Sequence, residues 1–475
     1  MHLILSLAVK KRYTVRYLLF IFSITLFISC NKQEEDIKNY ALLNGKVINH
    51  SENIIKLRDI DNKIIKEIEI STDGSFNDTL ENIVTGYYRI SLDKESSTIF
   101  LSPGTDISVN LDYQQFDETL IFEGNGSAEN NYLSATYLKN ENMGDTLTYA
   151  YLGSLDEASF IKTALDLKTK QLAFMTSQLG ISEEFKELEE ANLLYTWANR
   201  MQNYEAQRRY VSGDEEFKVS DEFNTFNEGL RLDDQSLANL SSYRNYLQNY
   251  YGAQIASDEN LSKDYSLNYI KLIAKEVENE ALRNSLLYAN AQYGITFTSE
   301  VQPYYDIFMA SSSNEEHKKE ITEKYEKLIK VAAGKPSPKF INYENIDGTT
   351  TSLDDLKGKF VYVDVWATWC GPCKREIPHL KEITEAYKNK EIAFVSMSID
   401  NPKDHDKWEQ MVAEENLKGI QIFAPNAWES DFVQDYSILG IPRFILIDKE
   451  GNIVNANAPR PSQEELTELL NSLNI

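Results

Sequence analysis

Cysteine is scarce in this chain, at 3 of 475 residues. Three cysteines exclude a disulfide-stapled scaffold, because one remaining pair allows only one bridge. Histidine is nearly as rare, at 5 residues. In residues 41–333 His50 and His317 stand isolated, without metal-ligand spacing, and lone histidines are mostly ordinary surface or core residues. That stretch also lacks a phosphate-cradling glycine loop and a catalytic triad pattern, so no cofactor or metal is expected. Positive charge is short as well. Against 74 Asp and Glu stand 48 Lys and Arg, a formal charge of −26. An acidic surface repels phosphates, which excludes nucleic acid as a partner. An apolar run long enough to cross a bilayer is missing too. "YLLFIFSITLFIS", residues 17–29, has 13 residues, where a spanning helix needs about 20.

That short run has its own meaning. Lys10, Lys11, Arg12 and Arg16 precede it and no acid occurs in residues 1–29, so removing them takes the charge from −26 to −30. A basic flank and an apolar centre fit an export signal. "LFISC" resembles the lipoprotein box of bacterial envelopes, with Ser29 before the cysteine that would be lipidated, Cys30. Several acyl chains on one cysteine make a stable tether, since each buried CH₂ contributes about 0.8 kcal/mol. The alternative is an uncleaved anchor helix. Either way the bulk of the chain is expected outside the cytoplasm, in the cell envelope, facing the periplasm.

The rest divides by texture. Residues 1–29 read as the signal and 30–40 as a polar linker. Residues 41–126 hold strand-like runs such as "KIIKEIEI" and "ISVNLDY" between turns such as "TDGS", "SPGT" and "GNGS", an antiparallel β-domain. Residues 127–333 carry apolar positions at three- and four-residue spacing, a helical domain with Ser154 or Ser182 as starts and Gly180 as a stop. Its frequent Tyr and Phe are expected to form core. "AAGKPSPKF", residues 332–340, is the clearest boundary. Residues 334–475 then alternate strands and helices as one covered sheet and end on "SQEELTELLNSL", a capped final helix.

Inside that last segment "VDVWATWCGPCKREIP", residues 363–378, contains the two remaining cysteines in C-x-x-C spacing. The pair sits where a buried strand turns into a helix. Free N–H groups and the positive helix end stabilise a thiolate there, which lowers the pKa of the first cysteine. Cys370 is therefore the expected exposed nucleophile, and Cys373, further inside, the resolving thiol. Pro372 in the first turn lacks only an N–H that would be unpaired anyway, and Gly371 gives the backbone room. The resolving thiol needs a base, and Asp364 on the preceding strand is the candidate, since a buried carboxylate has a raised pKa.

"VDVWATWCGPCK" resembles thioredoxin, and "ATWCGPCKREIPHL" resembles the membrane-tethered TlpA/ResA-type thiol-disulfide oxidoreductases of bacterial envelopes. The resemblance implies a thioredoxin-like fold over about 140 residues. It implies Trp369, Gly371 and Pro372 as substrate-facing residues, and a cis-proline at Pro442 in "LGIPRFILID", with Ile441 pairing its backbone to substrate. Asp364 falls on the buried acid of thioredoxin. Arg443 departs from the small polar residue usual after that proline. "GNGSAENNYL" and its surroundings resemble, more weakly, the β-domain ahead of such modules in envelope lipoproteins of Bacteroidota. That resemblance carries no catalytic residues.

Other readings of the pair compete with this one. A structural zinc wants four ligands and finds no second pair. A peroxidase of the peroxiredoxin type wants Thr three places before its cysteine, where this chain has it two before, at Thr368. A purely structural disulfide is a third, and a binding lipoprotein with an accessory redox module a fourth. The expected partners are disulfide-containing envelope proteins and a membrane electron donor that re-reduces the dithiol.

Overall fold

The computed structural model describes residues 39–258, 261 and 263–475. The signal and Cys30 lie outside the described residues. Among these residues no helix is long and apolar enough to cross a membrane.

Two four-stranded sheets form the first part. The strands are β1 (Tyr40–Ile48), β2 (Ile54–Arg58), β3 (Ile64–Glu69), β4 (Ser75–Glu81), β5 (Gly86–Leu92), β6 (Glu95–Leu101), β7 (Asp106–Asp112) and β8 (Ile121–Asn125). They assemble in the orders β4-β1-β7-β8 and β3-β2-β5-β6. Alternating burial puts Leu43, Val47, Leu57, Ile90, Ile107 and Val109 into one shared core. The antiparallel expectation has one exception: β1 and β7 run parallel. Parallel neighbours require a long crossover connection, and here the second sheet supplies it. "GNGSAENNYL" has a physical role in this part. It opens helix α1 (Ser127–Glu141), and Asn130 accepts from Phe100 N–H and donates to Phe100 C=O, while Asn131 does the same for Phe122. Two side-chain amides thus pair backbone groups of β6 and β8 that no neighbouring strand reaches.

Helices α2 (Glu157–Thr176), α3 (Glu183–Ser212), α4 (Ser241–Ala256), α5 (Tyr265–Glu276), α6 (Glu280–Gly294), α7 (Val301–Ser311) and α8 (Glu315–Leu328) follow. Ser182 caps α3 by accepting from Phe185 N–H. Ser154 caps nothing downstream; Asp156 starts α2 instead. The aromatics are core: Tyr195, Tyr243, Tyr246, Tyr269 and Tyr304 pack among Leu247, Ile270, Leu286 and Phe308. The two regions are stitched by polar contacts as well. Arg244 donates to Asp61 at 2.6 Å, and Tyr87 and Tyr132 donate to the buried Glu189 of α3. Burial pushes the Glu189 carboxyl above the usual range.

The C-terminal sheet comprises β9 (Tyr343–Asn345), β10 (Thr350–Thr351), β11 (Phe360–Trp366), β12 (Ile392–Ser398), β13 (Ile420–Phe423), β14 (Arg443–Ile447) and β15 (Ile453–Asn455), in the order β10-β9-β13-β12-β11-β14-β15. Helices α9 (Gly371–Ala386), α10 (His405–Glu414) and α11 (Glu464–Ser472) cover it. β11 and β12 are near-continuous apolar runs because both faces are covered. The two faces form separate cores, one around Val363, Val365, Met397 and Trp408, the other around Tyr362, Phe444, Leu446 and Leu466. Ser462 does not cap α11; its N–H and hydroxyl both donate to Glu376.

Candidate active site

Central strand β11 pairs in parallel with β12 and antiparallel with β14. Strands placed centrally are held on both sides, so residues at their ends are positioned rigidly. Beyond Trp366 the chain turns through Ala367–Trp369 into α9. Asp400, fully buried just past β12, fixes that turn: it accepts from Thr368 N–H at 2.9 Å, Thr368 Oγ1 at 2.7 Å and Ser398 Oγ at 2.8 Å. Ile399 N–H adds a bond to Trp366 C=O.

Cys370 is the N-cap of α9, and its Sγ accepts from Cys373 N–H at 3.1 Å. The two sulfurs are joined as a disulfide, with 5.3 Å between the Cα atoms. Pro372 stands in the first helical turn, where it deprives the helix of no bond. The expected contrast in exposure is absent in this bonded state: Cys370 is 4% exposed and Cys373 3%. Both sulfurs belong to the core cluster around Trp366, with Ile441 packed against it. Beside them Trp369 is 57% exposed, its ring 6.4 Å from that of Trp428, while Pro372 is exposed and Gly371 half-buried.

The second loop arrives from β14. The pair Val365–Arg443 is the last of the β11–β14 ladder, so Pro442 follows level with the end of β11. The Ile441–Pro442 bond is cis, and among the described residues the Ile441 N–H and C=O have no partner. Asp364 lies on β11, buried, and shares a cavity of about 10 Å³ with Cys373, Trp366, Ser396, Lys381 and Gln421. One water needs about that much space. Burial raises the Asp364 carboxyl to about 7, the Glu376 charge adds to the rise, and a hydrogen bond from Ser396 opposes it.

The fold therefore gathers Trp369, Cys370, Gly371, Pro372, Cys373, Ile441 and Pro442 around the carboxyl end of the central strand β11, with Asp364 on that strand lining a cavity with Cys373. Sequence reasoning missed Asp400, Glu376 and Trp428. Asp400 had a signal: in open sheets of this kind, sites form beyond the carboxyl ends of the strands, and "SMSID" ends there with a carboxylate. Elsewhere in the domain, His405, Asp406 and Glu409 bring possible ligand atoms within 4.8 Å of one another, but Asp406 and Glu409 are exposed and nothing further points to a metal.

Comparison with known proteins converges on the same segment. The Redoxin family model matches residues 332–473. The thiol-disulfide oxidoreductase ResA of Bacillus cereus (strain ATCC 10987 / NRS 248) is 28% identical over 152 residues, 31% of this chain and 83% of the relative. ResA of a second Bacillus cereus strain is 31% identical over 140 residues, 29% of this chain and 76% of the relative. The chain belongs to the ResA-type thiol-disulfide oxidoreductases. Among solved structures, a Bacteroides vulgatus protein described as a thiol-disulfide oxidoreductase is 50% identical, covering 30% of this chain and 90% of its own, with a TM-score of 0.27. A thiol-disulfide oxidoreductase of Bacteroides fragilis is 27% identical, covering 29% and 99%, with a TM-score of 0.27. The ResA-type segment thus makes this chain a protein-disulfide oxidoreductase with a Redoxin domain at its C-terminus. Residues 40–331 stand before it as sheets and helices.

Proposed function

We propose that this chain is a lipid-anchored envelope reductase that opens disulfides of other envelope proteins through Cys370 and Cys373. The reading is carried by one observation: the bonded pair at the start of α9 lies beside both a buried carboxyl, Asp364, and a loop edge, Ile441, whose backbone is free to take a substrate strand. In the reduced protein the Cys370 thiolate attacks a substrate disulfide, forming a mixed disulfide and releasing one substrate thiolate. Asp364 takes the Cys373 proton, directly or through one water. The Cys373 thiolate attacks Cys370 Sγ, the second substrate thiolate leaves, and the Cys370–Cys373 bond closes. Two electrons have passed to the substrate, so a membrane electron donor must return two. Trp369 and Trp428 offer apolar contact beside the sulfurs, and Cys30 would carry the lipid that holds the chain on the membrane with its bulk in the periplasm.

Two measurements test this. Cys373→Ser cannot resolve, so it should accumulate mixed disulfides with envelope proteins in cells; an absence of trapped partners speaks against the enzyme reading. Equilibration with glutathione should place the pair near a thioredoxin-like potential of about −270 mV, whereas about −120 mV would mean an oxidant. A second reading has one supporting observation, an open cavity of about 700 Å³ in the helical region, lined by Asp233, Tyr250, Tyr251, Gln254, Glu276 and Asn279. In that reading residues upstream bind a ligand and the redox module is accessory. A wild-type level of trapped partners after disruption of Tyr250 and Tyr251 would leave the two roles separate.

A further inference from the structure

The connection between α6 and α7, residues 295–300, belongs to the helical region by chain order, yet its contacts reach the redox domain. Thr296 C=O accepts from Arg443 Nη1 at 2.5 Å, and Phe297 C=O accepts from the Asn457 amide. The Arg443 guanidinium carbon lies 4.8 Å from the centre of the Phe297 ring. On the other side of the same loop, a Cβ on Gly440 would meet the tip of that ring at 3.1 Å. Gly440 and Arg443 bracket the cis Ile441–Pro442 bond, so one aromatic ring from the helical region backs the loop on both flanks.

The contact has a rigid frame. Val331 packs into the core of the redox domain. Gly334 N–H and Ser337 N–H bond to Ile453 and Gly451 carbonyls, and Ser337 Oγ meets Tyr436 OH at 2.7 Å. The chain therefore enters the redox domain through a fixed segment, not a loose tether. Arg443 itself is an unusual choice. It is 5% exposed, and among the described residues its guanidinium hydrogen bonds all go through Nη1, while Nε and Nη2 have no partner. Burying a guanidinium with unpaired N–H groups is unfavourable, and departures of this kind concentrate at functional positions. Of the groups that hold this charge inside, the Phe297 ring and the Thr296 carbonyl come from the helical region, while the Ala456 carbonyl and Asn457 Oδ1 belong to the redox domain itself.

We propose that Phe297 and Arg443 are positioning residues for disulfide exchange: the helical region holds the cis-proline loop in its substrate-receiving geometry and thereby selects the disulfides the dithiol can open. The inference rests on the dithiol reading above. The substrates it favours are chains that lay an extended segment along Ile441, because main-chain pairing there demands an accurate loop. A small disulfide that touches only sulfur does not depend on that pairing. The helical region is then a wall of the reaction groove.

The test uses the full chain, reduced beforehand, with two probes: insulin as an extended-peptide disulfide and a small aromatic disulfide. An excess of a small dithiol returns the two electrons each turnover consumes, its own background rate is subtracted, and the readout is kcat/KM for insulin divided by kcat/KM for the small disulfide. Phe297→Ala should lower that ratio about tenfold, chiefly through KM for insulin. Gly440→Ala, which presses on the ring while leaving the core intact, should lower it in the same direction by a smaller factor. Equal losses on both probes, or an unchanged ratio in both variants, overturn the proposal while the wild type remains active. A wild type inactive on both probes overturns the dithiol reading itself, and this proposal with it.

Discussion

Asp364→Asn is the most informative single change, because it separates a proton-transfer role from a structural one. The side chain is buried at the centre of the sheet, and its carboxyl titrates at about 7, against an ordinary value of 3.8. A raised carboxyl binds its proton more tightly when folded, so it contributes full stability below pH 3.8 and loses it as pH climbs through about 7. That difference corresponds to at most about 4 kcal/mol. Asparagine has almost the same shape and no charge, so the variant should be more stable than wild type at pH 8 by up to that amount. The gain should shrink steadily toward pH 4, as read by urea unfolding at several pH values. Catalysis moves the other way. Initial attack, which the proposed mechanism assigns to the Cys370 thiolate, should be nearly unaffected. Resolution by Cys373 should slow by about 100-fold, the low end of general-base effects, and should lose the rise with pH centred near 7. Rapid-mixing kinetics with quenched mixed disulfides read both steps separately. Equal slowing of attack and resolution, or a stability gain larger at pH 4 than at pH 8, would refute the argument.

Cys30→Ala should release the mature chain from membranes in fractionated cells; persistent sedimentation with membranes would point to the uncleaved anchor. Asp400→Ala should destabilise the redox domain by about 3 kcal/mol, since it strands two buried donors of Thr368 and one of Ser398. Because those bonds fix the turn that carries Trp369 and Cys370, the variant should also show a changed reduction potential, and an unaltered potential would confine Asp400 to stability.

Much of the redox site was legible because its geometry is local. A C-x-x-C pair at a strand-to-helix turn must meet: one helical turn returns Cys373 to the side of Cys370. The apolar texture of "KFVYVDVWA" marked a doubly covered strand, and a carboxylate within it had to be buried. Other features were not legible because they depend on distant partners. The parallel β1–β7 pair joins strands with five others between them in sequence. Glu376 looks like a surface acid on an amphipathic helix, yet it accepts from Ser462, 86 residues away. Cys370 was expected to be open to solvent, but in the bonded state it is 4% exposed and packed into the core cluster around Trp366.

Amino-acid order was thus enough for the three textures of the chain and for the placement of two neighbouring cysteines at a helix start, since each follows from neighbours within a few residues. How the textures touch came only with folding. Arg443 read in sequence as an odd residue after a proline. In the folded chain it is a buried charge held under Phe297, 146 positions earlier. Contacts at that separation are set by the packing of whole domains, and no local periodicity records them.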